Sequence, residues 1–178
     1  MSQQPKILLA GTPQLRAPSK RVTSVNFHTA ALSDLIDLLF QTMEQKNGVG
    51  LAAIQIGVPL RVIVYGFDQN PRYPSEAPIP KTVILNPEIV KKSETLINAY
   101  EGCLSLPTVR GQVPRHDWIE IQGLDHDGQL IHKKVTGFEA RIIQHEIDHT
   151  HGLIFPDKMT DMKTLGITSA LQEAGIIA

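Results

Sequence analysis

The chain has 178 residues, 42% of them hydrophobic, which is enough for one domain with a substantial core and short for two. Its formal net charge is −1, and its basic residues are scattered, with doublets such as Lys91-Lys92 and Lys133-Lys134 far apart, so there is no nucleic-acid footprint. The single cysteine, Cys103, excludes an intrachain disulfide and fits a reducing compartment, and no apolar run approaches membrane-spanning length.

Residues 1–28 show little periodicity and contain Gly11, Pro13 and Pro18, which predicts an irregular arm over the body, anchored by Leu15-Arg16. The start of the arm has only Ile7 to Ala10 as an apolar run and neither a signal-peptide nor a transit pattern, so a cytoplasmic protein is expected. Leu32, Leu35, Ile36, Leu39, Phe40 and Met43 then repeat at helical spacing, predicting an amphipathic helix ended by Asn47-Gly48. Gly48 to Gln55 is rich in small residues. It lacks the lysine of a phosphate loop and reads as an exposed backbone edge against which a substrate lies, or more blandly as a helix cap followed by a tight packing contact.

Arg61 to Phe67 is expected to be a buried strand, and the Pro-rich stretch from Asp68 to Pro80 a surface loop. Thr82 to Leu85 predicts another short strand, and Ile119 to Leu124 with Leu130 to Val135 bracket a hairpin turn at His126-Asp127-Gly128. Thr136 with Glu139 reads as a capping box that starts a helix near Gly137, apolar nearly all round and ended by Gly152. A modest helix over 161–174, interrupted by Gly166, completes a single expected domain over 1–178.

Chemistry concentrates in Gln144-His145-Glu146-Ile147-Asp148-His149. On a helix, His145 and His149 lie one turn apart on one face, so both rings can reach one metal ion beside the Glu146 carboxylate. Taken singly, either would read as an ordinary helix histidine. One familiar metalloprotease pattern, HExxHxxGxxH, continues through Gly152 but then meets Phe155 where the third histidine should stand. Another takes a downstream glutamate, and Glu173, five residues before the end, is poorly placed. The third donor is therefore expected upstream, at Cys103 in Glu101-Gly102-Cys103-Leu104-Ser105. A zinc peptidase and an inactive metal-binding homologue remain as alternatives; the latter calls for a fourth protein ligand and has no use for Glu146.

Three blocks, Gly48 to Gln55, Glu101 to Ser105 and Gln144 to His149, together resemble the signature motifs of the peptide deformylase family, GxGLAAxQ, EGCLS and QHExDH. Pro107, Arg110-Gly111, Val113-Pro114-Arg115, Gly137-Phe138 and Ala140-Arg141 extend the similarity over residues 30 to 160, roughly, while Thr150 stands where the family often has leucine. The resemblance implies an α+β fold with antiparallel strands surrounding a central motif helix. It also implies removal of the N-formyl group from the initiator methionine of nascent bacterial polypeptides, yielding formate. By the same resemblance, Cys103, His145 and His149 hold one divalent metal ion, Fe²⁺ in cells with Zn²⁺ or Ni²⁺ able to replace it. Glu146 is general base and acid, and Gln55 and the Leu104 amide stabilise the oxyanion. Val49, Gly50, Gly102 and Arg110 bind the substrate, Phe138 lies near its side-chain pocket, and Glu101 with Arg115 forms a supporting ion pair. Expected partners are N-formylmethionyl nascent peptides and the ribosome, with no membrane, and the expected state is a monomer.

Overall fold

The computed structural model describes residues 5–177; the first four residues of the arm and Ala178 lie outside the described residues. Two antiparallel sheets and a buried helix make an α+β fold. The larger sheet has the order β1 (Gly50–Ala52), β2 (Val62–Phe67), β3 (Ile79–Lys92), β6 (Trp118–Leu124), β7 (Leu130–Thr136). The smaller pairs β4 (Leu96–Cys103) with β5 (Leu106–His116) and β5 with the two-residue β8 (Gly166–Ile167).

Strand β2 is buried along its whole length because both of its faces are covered. Side chains alternate along a strand, so Ile63 and Tyr65 pack with Ile143 and Ile147 of α2 (Gly137–Thr150). Val62 and Val64 face the opposite way, toward Leu32, Ile36, Leu39 and Met43 of α1 (Ala30–Gln45). Thr29 caps α1, accepting the Leu32 N–H at 3.3 Å, and Asn47 ends it with a left-handed φ of 52°. The sheet is thus sandwiched between the two helices, and α2 is the inner one.

Every residue of α2 from Ala140 to Thr150 is buried. The expected capping box is absent: the Thr136 side chain makes no cap bond. Glu139 Oε1 instead accepts from Tyr65 Oη (3.1 Å) and Lys133 Nζ (2.6 Å), two stronger claims on the carboxylate than a backbone N–H. Helix entry is set by Gly137, whose φ is +57° and whose N–H donates to the Asp117 carbonyl at 2.8 Å. At the other end Gly152 adopts φ +75°, and Leu153 N–H returns to the Asp148 carbonyl at 3.0 Å.

Gly152 has a second task, since a Cβ there would strike the Arg16 carbonyl. The arm clasps this end of the helix. Ser19 N–H donates to the Thr150 carbonyl (2.8 Å), Arg16 pairs with Asp157, and Leu15 is fully buried. Further back, Leu8 and Ala10 bond to the carbonyls of Gln55 (2.7 Å) and Ser105 (2.9 Å).

Other expectations need correction. The strand anticipated at Thr82 to Leu85 runs over 14 residues, with bulges at Leu85/Glu88 and Ile89/Lys91. Asn86, at φ 52°, turns the chain at the first bulge, its side chain bonded to both backbone groups of Val22 at 2.8 Å. The helix expected over 161–174 is broken into a 3₁₀ turn (Met162–Thr164), β8 and a short α3 (Thr168–Glu173). Among the described residues, no helix is long and apolar enough to cross a membrane.

Candidate active site

A cleft lies where the outer strands of the two sheets meet over α2. Val49 and Gly50 border it from the β1 side, Gly102 and Cys103 from the end of β4, and His145 and Glu146 form its floor. Each of these strands is hydrogen-bonded on one side only, so backbone donors and acceptors on both flanks are available to an extended chain. Gly50 must be glycine: a Cβ there would collide with the Glu146 carboxylate.

The register of β4 against β5 slips between Gly102 and Cys103, and this irregularity turns the cysteine inward. Cys103 Sγ lies 3.2 Å from His149 Nε2, and the donor atoms of Cys103, His145 and His149 all fall within 4.8 Å of one another. Burial opposes ionisation of the thiol, but His149 and His145 outweigh it and hold its pKa well below the usual value. A thiolate and two imidazoles converging this closely fit a divalent metal of borderline softness.

Which ring nitrogen of His145 faces the sulfur is decided from behind. His145 Nδ1 lies 2.8 Å from Glu101 Oε2. Glu101 also accepts from Arg115 Nε (2.8 Å) and Nη2 (3.0 Å) and from Arg141 Nη1 (2.8 Å). Burial would raise the Glu101 pKa, but the His145 and Arg115 hydrogen bonds hold it well below the usual carboxylate range. An ionised carboxylate only accepts, so Nδ1 carries the proton and Nε2 is left for a metal. Arg115 Nη1 reaches on to Asp148 Oδ2 at 2.5 Å, joining β5 to the far side of α2.

Glu146 is treated differently from every other acid here. Its Oε2 is buried and has no hydrogen-bond partner among the described residues. Burial pushes its pKa up to about 7, against the pull of His145 and His149. A carboxyl held near neutrality can both take and return a proton.

Gln55 is oriented by the Ala52 N–H, which donates to its Oε1 at 2.8 Å. That leaves Nε2 pointing to Cys103 Sγ (3.6 Å) and Ser105 Oγ (3.2 Å). Leu104 follows Cys103 in the turn between β4 and β5, which puts its backbone beside the sulfur. Phe138 forms an aromatic wall with Tyr73 and Phe67, at ring-centre distances of 4.8 and 6.2 Å.

The structure therefore brings Val49, Gly50, Gln55, Gly102, Cys103, Leu104, Phe138, His145 and Glu146 into one cleft. His149 sits behind Cys103 and is fully buried, and Arg110 stands at the rim against Gly102. Arg72, Tyr73, Tyr100, Arg141 and Ile142 also line the cleft and were not singled out in the sequence. An Arg-Tyr pair inside a Pro-rich loop carries no periodic or motif signal. Arg141 was visible only as part of the resemblance.

This is the equipment of a metal-dependent hydrolase, and comparison with known proteins narrows the class. A family model described as polypeptide deformylase matches residues 4–165, so the chain belongs to that family. It is 41% identical over 172 residues to peptide deformylase 1 of Nitrosomonas europaea, covering 97% of each chain. Against peptide deformylase 1 of Prochlorococcus marinus the identity is 43% over 173 residues, 97% of this chain and 89% of the relative. Among solved structures, a Met-Ala-Ser-bound class I type b peptide deformylase from Acinetobacter baumannii superposes with a TM-score of 0.86 at 35% identity, covering 89% of this chain and all of the other. The family's function is the metal-dependent removal of the formyl group from nascent polypeptides.

Proposed function

We propose that this chain hydrolyses the formamide of N-formylmethionyl nascent peptides, giving formate and a free N-terminus, with Cys103, His145 and His149 holding the metal. The observation that carries this reading is the convergence of those three donors beside a buried, unpartnered Glu146. When bound, the metal supplies a nucleophile at neutral pH and polarises the formyl oxygen. Glu146 accepts the proton of the attacking water and returns it to the departing amine, which leaves poorly unless protonated. Gln55 Nε2–H and the Leu104 N–H donate to the oxygen as negative charge builds on it. Val49, Gly50 and Gly102 offer backbone to the peptide, Arg110 flanks it, and Phe138 closes the methionine pocket.

Replacing Glu146 by Gln keeps the shape and removes the proton carrier. Turnover of formyl-Met-Ala-Ser should fall by at least about 10²-fold while metal content, read by elemental analysis, is retained; undiminished turnover would overturn the reading.

The family resemblance assigns Fe²⁺ in cells, with Zn²⁺ or Ni²⁺ able to replace it, and the mixed thiolate and imidazole donors suit iron and zinc alike. Anaerobic purification followed by metal analysis should find iron, with activity lost on air exposure; stoichiometric zinc and air-stable activity would reverse the assignment. The protein acts as a monomer, one catalytic domain over residues 1–178, in the cytoplasm and at the ribosome where formylated chains emerge. Co-sedimentation with ribosomes at low salt tests that last contact, and its absence there would remove it.

A further inference from the structure

Arg72 and Tyr73 belong to no motif, yet they reach the cleft. Asn70 sets them there. Its side chain is nearly buried, with Nδ2 donating to the carbonyls of Asn47 (3.1 Å) and Gly48 (3.2 Å) while Oδ1 accepts the Arg72 N–H at 2.9 Å. The loop is thereby tied to the residues that lead into Val49 and Gly50. Tyr73 then acts as a platform for two cations, with Arg72 Cζ 5.7 Å and Arg110 Cζ 5.4 Å from its ring centre, within range of a cation–π attraction. Both arginines crowd Gly102, where a Cβ would meet Arg72 Nη2 at 3.0 Å and Arg110 Cζ at 3.5 Å.

Two guanidiniums around one ring repel each other, and the ring offsets only part of that repulsion. Among the described residues neither has a carboxylate partner. Glu76 on the same loop pairs with neither, and Arg141, also in the cleft, is engaged by Glu101. Beyond Arg72 the cleft continues into a groove beside Leu104 and Pro107, where Lys6 and Lys46 add positive charge and, among the described residues, no acidic side chain lines the wall. Arg72 lines both the cleft and this groove, so an extended peptide that leaves the cleft along the groove, at about 3.3 Å per residue, runs beside it.

We infer that Arg72, set by Asn70 and paired with Arg110 across Tyr73, makes the site select formylated peptides that carry an acidic side chain at the second or third residue. The inference deepens the deformylase reading and rests on it. A carboxylate there receives charge-assisted hydrogen bonds from planar, forked donors and relieves the repulsion between the two arginines.

The test uses the metal-loaded full chain and two peptide series, formyl-Met-Xaa-Ser-amide and formyl-Met-Ala-Xaa-amide, with Asp, Ala or Lys at Xaa. Terminal amides remove the only other carboxylate. In one series kcat/KM for Asp should exceed that for Lys by about fivefold at low ionic strength, the upper end for a partly exposed ion pair, and the gap should narrow at about 0.5 M salt. Arg72→Gln should bring the Asp-to-Lys ratio toward one, and Arg72→Glu should invert it. A ratio of one or below in both series overturns the inference, as does a ratio that Arg72→Gln leaves unchanged. Turnover of the Ala peptides keeps the deformylase reading intact in either case, whereas no turnover of any peptide overturns both. The peptide series and salt dependence of the unsubstituted chain decide the matter should a variant fail to fold.

Discussion

The floor of the cleft and its rim are both built from charged side chains, but they are held in opposite ways. On the floor, Glu101 accepts from His145, Arg115 and Arg141, and Arg115 passes the linkage to Asp148, so each group is fixed by at least one buried partner. At the rim, the Arg72 and Arg110 side chains share a ring, and the loop that carries Arg72 and Tyr73 is tied down through Asn70. Reaction geometry tolerates little displacement, whereas recognition of varied peptides requires side chains that can follow their ligand. The molecule places its rigidity and its adaptability accordingly.

The contrast is broken most severely at Glu101. Glu101→Gln leaves the buried Arg141 guanidinium without its anion and Arg115 with Asp148 alone, and removing one partner of such a group costs about 3–5 kcal/mol. The urea midpoint should drop with little change in slope. Metal affinity should fall about 10–100-fold as His145 exchanges a carboxylate acceptor for a neutral amide. A variant as stable as the parent would mean that the floor is no more tightly built than the rim.

Acid sharpens the same contrast by a smaller step. The folded state holds the Glu101 pKa well below its unfolded value of about 4.3. Its contribution is therefore complete above about pH 4.3 and is lost as the pH falls through the folded-state value. Melting temperature should decline on acidification from about pH 4.3 to about pH 3, and Glu101→Gln should flatten that decline. Equal slopes in the two proteins would show that other carboxylates carry the acid sensitivity.

The smallest effect is expected at the rim. Asn70→Ala removes three side-chain hydrogen bonds to the backbone and should cost about 2 kcal/mol of stability. It should raise KM for formylated peptides more than it lowers kcat, because the loop loosens while the floor is untouched. A fall confined to kcat would place Asn70 in the chemistry instead.

The legible parts of the chain were those with a clean period or a dense motif. Helix α1 shows its apolar stripe, α2 its all-round burial, and the β6–β7 hairpin its turn residues. Strands β4 and β5 went unread because Gly102, Gly111, Pro107 and Pro114 interrupt them, and the first three residues of β4 are exposed on both faces. Pro87 and the left-handed Asn86 likewise hid the continuity of β3, since a bulge absorbs both without ending the strand. Within the cleft, Cys103 and the two histidines were readable from donor chemistry, and Gln55 through its motif. Arg72 was not, because its place depends on Asn70 finding the carbonyls of Asn47 and Gly48, a tertiary contact that no local pattern encodes. Glu139 shows the converse error, a correct local signal overridden by Tyr65 and Lys133.

The clasp of the arm on the end of α2 carries a consequence for the order of events during synthesis. Arg16 and Ser19 are made well before their partners at Thr150, Gly152 and Asp157, which follow more than 130 positions later. At about 5–20 residues per second, the arm waits several seconds or longer for its seat. Its closure is a high-contact-order event that can finish only once the motif helix and the turn at Asp157 exist. A segment made early in the domain is thus among the last to dock, and it locks the helix that bears His145 and His149.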